Sequence, residues 1–168
     1  MVNADTQKQK SPLAKRLIGT YVRTESNSTV ILHITNQRLT LLRKEAKKTH
    51  PIEACALLFG KLTEKEAVIE RVVVTPNVLE SIARFEIDSK AFCNAFTKAN
   101  NDKLDFVGFF HSHPAPANPS SVDLKFMRLW GDAVWLIFSS TKNKFAAFQM
   151  RNSEVHALTL KTEGKFKE

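Results

Sequence analysis

The spacing of apolar residues along the chain predicts three helices, each preceded by a polar capping residue. The capping residues are Thr35 or Asn36, then Asp88, then Ser120. Each helix carries an apolar stripe that we expect to face the core. The stripes are Leu39, Leu42 and Ala46; Ala91, Phe92, Ala95, Phe96 and Ala99; and Val122, Phe126, Leu129 and Trp130. Pro51, residues 100–102 and Gly131 mark the expected helix ends.

Runs of β-branched and aromatic residues predict the strands. They are 17–23, 30–34, 54–60, 67–75, 104–110, 133–138, 145–150 and 155–160. The run at 54–60 is apolar on both faces, which is typical of a central strand that is covered on both sides. Helices interleaved with mostly antiparallel strands predict an α/β three-layer sandwich or a mixed α+β domain.

An irregular connection at 76–84 separates a strand from the second helix and displays three apolar residues. These are Val78, Leu79 and Ile82. Two interpretations are open: the three side chains pack inward, or they form a ridge that grips a partner.

Chain length and composition favour one domain. The chain has 168 residues, of which 43% are hydrophobic, and this is enough for one substantial core. We expect a flexible basic tail at 1–15, a single domain at 16–162 and a short tail at 163–168. Cys55 and Cys93 both lie in apolar surroundings, so we expect them to be buried and reduced. With a polar start and no long apolar run, the sequence predicts a cytoplasmic protein with no membrane contact.

The formal net charge of +8 is concentrated in two segments. Residues 1–23 hold five basic residues against one acidic residue, and residues 35–50 hold the same numbers. A basic tail and helix could bind nucleic acid or an acidic partner, but a solvated surface is the commoner outcome. Because no aromatic residues alternate with these charges as they do in base-stacking proteins, we expect no nucleic-acid partner.

The candidate chemistry lies between Phe109 and Met127. His111 and His113 follow an apolar strand at i and i+2, so their side chains project to the same side. A proline-rich loop then leads to Ser120 and Asp123 at the start of the third helix. Two imidazoles and one carboxylate form the protein ligand set of a catalytic zinc site. The alternative is that Ser120 and Asp123 only cap the helix, and the two roles are compatible.

Glu53 precedes the doubly covered strand at 54–60. One interpretation is a carboxylate at the exposed end of a strand, where charge is well tolerated. The other is a general base beside a metal-bound water.

Together, HPIEACALLFG with Glu53, HSHP at 111–114 and PSSVD at 119–123 resemble the JAMM motif of the MPN+ metallopeptidases. The resemblance covers about residues 34–140 and is strongest to prokaryotic or archaeal relatives of the proteasome-lid deubiquitinase. It implies an MPN, cytidine-deaminase-like, three-layer sandwich with a central, mostly antiparallel mixed sheet flanked by helices. It also implies one zinc ion per chain bound by His111, His113 and Asp123.

The resemblance further implies the roles of the remaining residues. Glu53 would be the general base, and Ser120 would help to stabilise the tetrahedral intermediate. The implied reaction removes ubiquitin or a ubiquitin-like modifier by cleavage after its C-terminal glycine. Val78, Leu79 and Ile82 would bind the modifier, because relatives carry a modifier-clamping insertion there. The implied partners are the modifier and its conjugates, and a proteasome or another protein assembly.

The chain departs from the family pattern in the spacer between His113 and Ser120, which has six residues where seven are usual. Either Ser120 or Ser121 could therefore face the metal, and we choose Ser120 because it keeps the Ser-x-x-Asp spacing. Relatives carry a second insertion after the strand that corresponds here to residues 134–140. Only residues 141–144 separate this strand from the next, so the insertion is expected to be absent. Trimming of sulfur-carrier proteins, a non-catalytic scaffold role and a DNA-associated relative with an HNHP motif are the alternatives.

Overall fold

The computed structural model describes residues 30–163, which form seven strands and three helices. The strands are β1 (Ile31–Thr35), β2 (Cys55–Leu62), β3 (Glu66–Thr75), β4 (Asp105–His113), β5 (Val134–Ser139), β6 (Lys144–Arg151) and β7 (Glu154–Glu163). The helices are α1 (Asn36–Thr49), α2 (Ser89–Asn101) and α3 (Ser121–Trp130). The strand predicted at 17–23 and the predicted tails lie outside the described residues, except for Glu163 in β7.

All seven strands belong to one closed barrel, in the order β1, β3, β2, β4, β5, β6, β7. Closure comes from β1, which pairs in parallel with β3 on one side and with β7 on the other. The three-layer sandwich with a helix-flanked sheet that the sequence predicts is therefore wrong. The closing contact joins Ile31 with Thr159, at opposite ends of the described chain. A pairing between such distant segments leaves no signal in local hydrophobic periodicity.

Two irregularities in β2 increase the local bend of the sheet. The register of β2 shifts between Phe59 and Gly60 against β3, and between Leu58 and Phe59 against β4. Such bulges twist and bend a strand. Gly60 is required there because a Cβ atom at this position would lie 1.8 Å from the carbonyl oxygen of Val68.

The inside of the barrel is filled by one hydrophobic cluster to which every strand contributes. Helix α1 adds its predicted stripe of Leu39, Leu42 and Ala46, which is confirmed as buried. Thr35 is the cap, since its side chain accepts a hydrogen bond from the Arg38 N–H group. Helices α2 and α3 pack instead against a second cluster on the outer face of β2, β4 and β5.

The predicted core face of α3 is wrong. Phe126 is 45% exposed and Leu129 is 69% exposed, whereas Asp123 and Met127 are the buried residues of this helix. Trp130 does pack against the outer cluster, as predicted. This short helix has apolar residues on more than one face, so their spacing does not show which face is buried. The side of the helix that packs against the sheet decides this.

The two cysteines differ in their surroundings. Cys55 is buried, as predicted, and burial raises the pKa of its thiol to about 11. Cys93 is exposed on α2, so its predicted burial is wrong. Between residues 30 and 163, no helix has both the length and the apolar character needed to cross a bilayer.

Candidate metal centre

Two imidazoles and one carboxylate meet where β4 ends and α3 begins. His111 and His113 occupy alternate positions of β4, so both side chains point to the outer face of the barrel. They lie within the strand, which is longer than the predicted run at 104–110. Asp123 lies in the first turn of α3, and all three side chains are buried. The three residues predicted as ligands are therefore neighbours in space.

The spacing of their donor atoms fits a metal ion. One ligand atom from each of His111, His113 and Asp123 lies within 4.8 Å of the other two. The two Nε2 atoms are 2.9 Å apart, and each lies 3.3 Å from an oxygen of Asp123. Tetrahedral zinc with bonds of about 2.0–2.1 Å places its ligand atoms about 3.3 Å from one another. The three donor atoms are therefore close enough together to hold one metal ion.

The capping residue of α3 fixes the orientation of the carboxylate. The Ser120 N–H group donates to Asp123 Oδ2 at 2.7 Å, and the Asp123 N–H group donates to Ser120 Oγ at 3.2 Å. This reciprocal pair is a capping box. The cap interpretation is therefore confirmed, and the ligand interpretation is compatible with it, since the capping box uses Oδ2 and not Oδ1. Despite the six-residue spacer, the cap of α3 is Ser120, and Ser121 is the first residue of the helix.

The ionisation of the three groups is strongly coupled. Burial lowers the pKa of His111, and contact with Asp123 only partly offsets this effect. Burial acts in the same direction on His113, but its contacts with Asp123, Glu53 and the Pro116 carbonyl outweigh it and raise the pKa. Burial would raise the pKa of Asp123, yet hydrogen bonds from both histidines hold it well below its usual range. Asp123 is therefore ionised and available as a ligand at neutral pH.

Glu53 lies immediately before β2 and is only 2% exposed, so its interpretation as an exposed strand end is wrong. Its Oε1 atom is 3.6 Å from His113 Nε2. Burial raises the pKa of Glu53 to about 7, a shift that His113 partly offsets and Asp123 reinforces. A carboxyl group with such a pKa can both accept and return a proton near neutrality.

Ser112 holds the Glu53 segment against β4, a role that the sequence analysis did not identify. Its hydroxyl accepts a hydrogen bond from the Ala54 N–H group at 2.9 Å. Its own N–H group donates to the Ala54 carbonyl at 3.0 Å. Because Ala54 follows Glu53, this residue between the two histidines also sets the position of the buried carboxylate.

Ser140 is a second residue that the sequence analysis missed. Its N–H group and its hydroxyl both donate to the His113 carbonyl oxygen, at 2.9 and 3.1 Å. The hydroxyl also lies 3.1 Å from Nδ1 of His50. Since the hydroxyl proton is given to His113, His50 is the donor in this contact. Ser140 thereby ties the end of β4 to the segment that leads to Glu53.

The predicted substrate residues Val78, Leu79 and Ile82 are all exposed, so the interpretation that they pack inward is wrong. Their segment is hydrogen-bonded to the main chain of Glu53. The Glu53 N–H group donates to the Ser81 carbonyl at 3.0 Å, and the Asn77 side-chain amide donates to the Glu53 carbonyl at 3.1 Å. An exposed apolar segment is therefore attached to the residue beside the candidate metal centre.

A His-His-Asp grouping next to a buried carboxylate is the arrangement expected of a metal-dependent hydrolase. Residues 35–153 match the family model described as prokaryotic homologs of the JAB domain. The chain belongs to this family, and the resemblance drawn from its motifs is confirmed.

Two similar proteins extend the comparison. The chain is 37% identical over 98 residues to a desampylase from Pyrococcus furiosus, a match that covers 58% of this chain and 66% of that protein, just under two thirds of its length. It also resembles the solution structure of a protein from Desulfitobacterium hafniense with a TM-score of 0.71 and 26% identity. That likeness covers 82% of this chain and 96% of the other chain, so it extends well beyond the metal centre. The predicted proteasome partner stays a prediction.

Proposed function

We propose that the protein is a zinc-dependent isopeptidase that removes a ubiquitin-like modifier by cleaving after the modifier's C-terminal glycine. The observation that carries this proposal is the grouping of His111, His113 and Asp123 within 4.8 Å, with the Glu53 carboxylate 3.6 Å from His113 Nε2. His111 Nε2, His113 Nε2 and Asp123 Oδ1 would hold one zinc ion per chain. A cytoplasmic place of action is part of the same proposal.

Zinc bound at such a site lowers the pKa of a water molecule and polarises a carbonyl group. Glu53 is the proposed general base: it takes the proton from the attacking water and returns it to the leaving amine. Its pKa of about 7 supports both steps. Its burial supports them as well, because little bulk water competes for the proton.

Ser120 is the proposed donor to the oxyanion of the tetrahedral intermediate. Its hydroxyl oxygen accepts a hydrogen bond from the Asp123 N–H group, which fixes the oxygen at the start of α3. The hydroxyl proton is not used in this contact and can be donated to a developing negative charge. The capping box of α3 would thus orient both the proposed ligand, Asp123, and the proposed donor, Ser120.

The substrate side of the proposal rests on the exposed apolar segment and on one relative. Val78, Leu79 and Ile82 form the proposed contact with the modifier, whose extended tail would lie along the adjacent main chain. The name of the desampylase denotes removal of a ubiquitin-like modifier, which supports conjugates of such a modifier as substrates here.

Zinc content and cleavage, measured on the same preparation, test the proposal. The protein, purified without chelator, is expected to contain about one zinc ion per chain. It is also expected to release a C-terminal extension from ubiquitin-like modifiers, including a sulfur-carrier protein, and to lose this activity after dialysis against a chelator. Zinc without cleavage of any modifier would contradict the hydrolase. Absence of zinc would contradict the metal centre itself.

Introducing charge into the exposed segment is expected to weaken substrate binding. The double variant Val78→Asp and Leu79→Asp should lower kcat/KM for a modifier substrate about 10-fold or more, mainly through KM, because it removes the apolar contact. The zinc content should not change. Steady-state kinetics over a range of modifier concentrations measure the effect.

Leu41→Asp and Val155→Asp provide the matched control, since both residues are comparably exposed but lie on α1 and β7. Their kinetics should equal those of the wild type. Equal losses in the control and in the Val78 and Leu79 variant would show that added charge, rather than a lost contact, causes the effect. That result would remove the segment from the substrate site.

A further inference from the structure

The imidazole of His111 is covered by the ring of Phe85. The two rings are stacked, with their centroids 4.7 Å apart and their planes inclined by 23°. Phe85 is half-buried and also contacts Phe109 and Trp135. It belongs to the same connection as the proposed substrate residues, three positions after Ile82. Trp135 also lies beside His111, with their ring centroids 6.0 Å apart, so it contacts both rings of the stacked pair.

His111 and His113 differ in what holds their second nitrogen atom. His113 Nδ1 lies 3.4 Å from the Pro116 carbonyl, which can accept its proton. His111 Nδ1 is buried and has no hydrogen-bond partner among residues 30–163. A histidine that binds a metal is ordinarily oriented by a hydrogen bond from this second nitrogen. For His111, packing must provide the orientation instead.

We propose that Phe85 is a positioning residue that orients His111 for metal binding, in place of the hydrogen bond that orients His113. This inference rests on the proposed function because it concerns a ligand of the same site. The stacked ring restricts rotation of the imidazole about its χ2 angle and keeps Nε2 directed at His113 and Asp123. An imidazole that binds a metal cation loses electron density to it, and the negative face of a phenyl ring attracts such an electron-poor ring.

Zinc affinity of the metal-depleted protein, measured by competition with a chromogenic chelator, tests the proposal. Phe85→Leu keeps an apolar side chain but removes the ring face, and it is expected to weaken zinc binding about 3- to 10-fold. Phe92→Leu is the matched control. Phe92 is also half-buried in the outer aromatic cluster, but its ring contacts are with Phe96, Phe106 and Trp130. Its variant is expected to bind zinc with an affinity within about 2-fold of the wild type, because removal of a distant ring leaves His111 in place.

Two further measurements separate positioning from general stability. Phe85→Tyr keeps the ring and is expected to restore zinc affinity to the wild-type value. In the cobalt-substituted protein, the visible absorption bands report ligand geometry, and they should change in Phe85→Leu but not in Phe92→Leu. If Phe85→Leu does not fold, Phe85→Met, which has a longer apolar side chain, serves for the same comparison.

The outcomes distinguish this inference from the function on which it rests. If the wild type binds zinc and the Phe85 and Phe92 variants bind it equally well, Phe85 has no positioning role. A cobalt spectrum unchanged by Phe85→Leu would overturn the inference in the same way. If the wild type itself binds no zinc, the metal centre fails, and the inference fails with it.

Discussion

Glu53→Gln is expected to reduce cleavage of a modifier substrate by about 100- to 10,000-fold, the usual contribution of a positioned general base. The substitution replaces a carboxylate by an amide of nearly the same size. The buried side chain therefore still fills its place, and the hydrogen bonds that Ser81 and Asn77 make with its main chain remain. An amide cannot take a proton from water at neutral pH, so the chemical step is lost while zinc stays bound.

Single-turnover cleavage and zinc content of Glu53→Gln, measured together, check this result. Glu86→Gln is the matched control, because it makes the same chemical change at an exposed position between β3 and α2. The control should cleave at the wild-type rate. Full activity in Glu53→Gln with zinc present would show that another group takes the proton.

Asp123→Asn is expected to weaken zinc binding by more than about 100-fold. Losing a residue that only hydrogen-bonds to a metal ligand typically reduces metal affinity about 10- to 100-fold, and Asp123 is itself a proposed ligand. The amide oxygen of asparagine can still accept the hydrogen bond from the Ser120 N–H group, so α3 should keep its cap. The neutral amide is nevertheless a poor ligand for a divalent cation. Cleavage should fall with metal occupancy, because the variant leaves two imidazoles to hold the ion.

Thermal unfolding with and without added zinc provides the measurement. Zinc should raise the melting temperature of the wild type, because a ligand that binds the folded state stabilises it. It should have little effect on Asp123→Asn. Asp132→Asn, an exposed change just beyond α3, should respond to zinc as the wild type does. A zinc response retained by the Asp123 variant would exclude this carboxylate as a ligand.

Local features of the fold could be predicted from the sequence. Thr35, Asp88 and Ser120 are confirmed as helix caps, because each acts on amides only three residues away. Barrel closure could not be predicted, since it depends on β1 meeting β7. The buried face of α3 could not be predicted for a similar reason. The apolar spacing shows that the segment is a helix, but the face that is buried depends on strands far away in the chain.

The candidate site shows the same division. His111 and His113 could be paired from their spacing alone, because alternate residues of a strand share a face. Glu53 lies next to the two histidines only because β2 pairs with β4. Residue spacing could not predict this proximity, and only the resemblance to a family motif suggested it. Ser112 and Ser140 escaped notice because each acts on a carbonyl or amide group that lies far away in sequence.

The Asn77 side chain connects the two ends of the exposed apolar segment by hydrogen bonds. It donates to the Arg84 carbonyl at 2.9 Å and accepts from the Glu86 N–H group at 3.2 Å. Main-chain groups inside the segment are held as well, because the Leu79 N–H group donates to Asn77 Oδ1 at 3.1 Å and the Ser81 carbonyl accepts from the Glu53 N–H group at 3.0 Å. The side chains of Val78, Leu79 and Ile82 take no part in these bonds, so they can change while the main-chain path stays the same. Exchanging these three exposed side chains is therefore expected to alter the proposed modifier contact while the hydrogen bonds to Asn77 and to the Glu53 main chain remain.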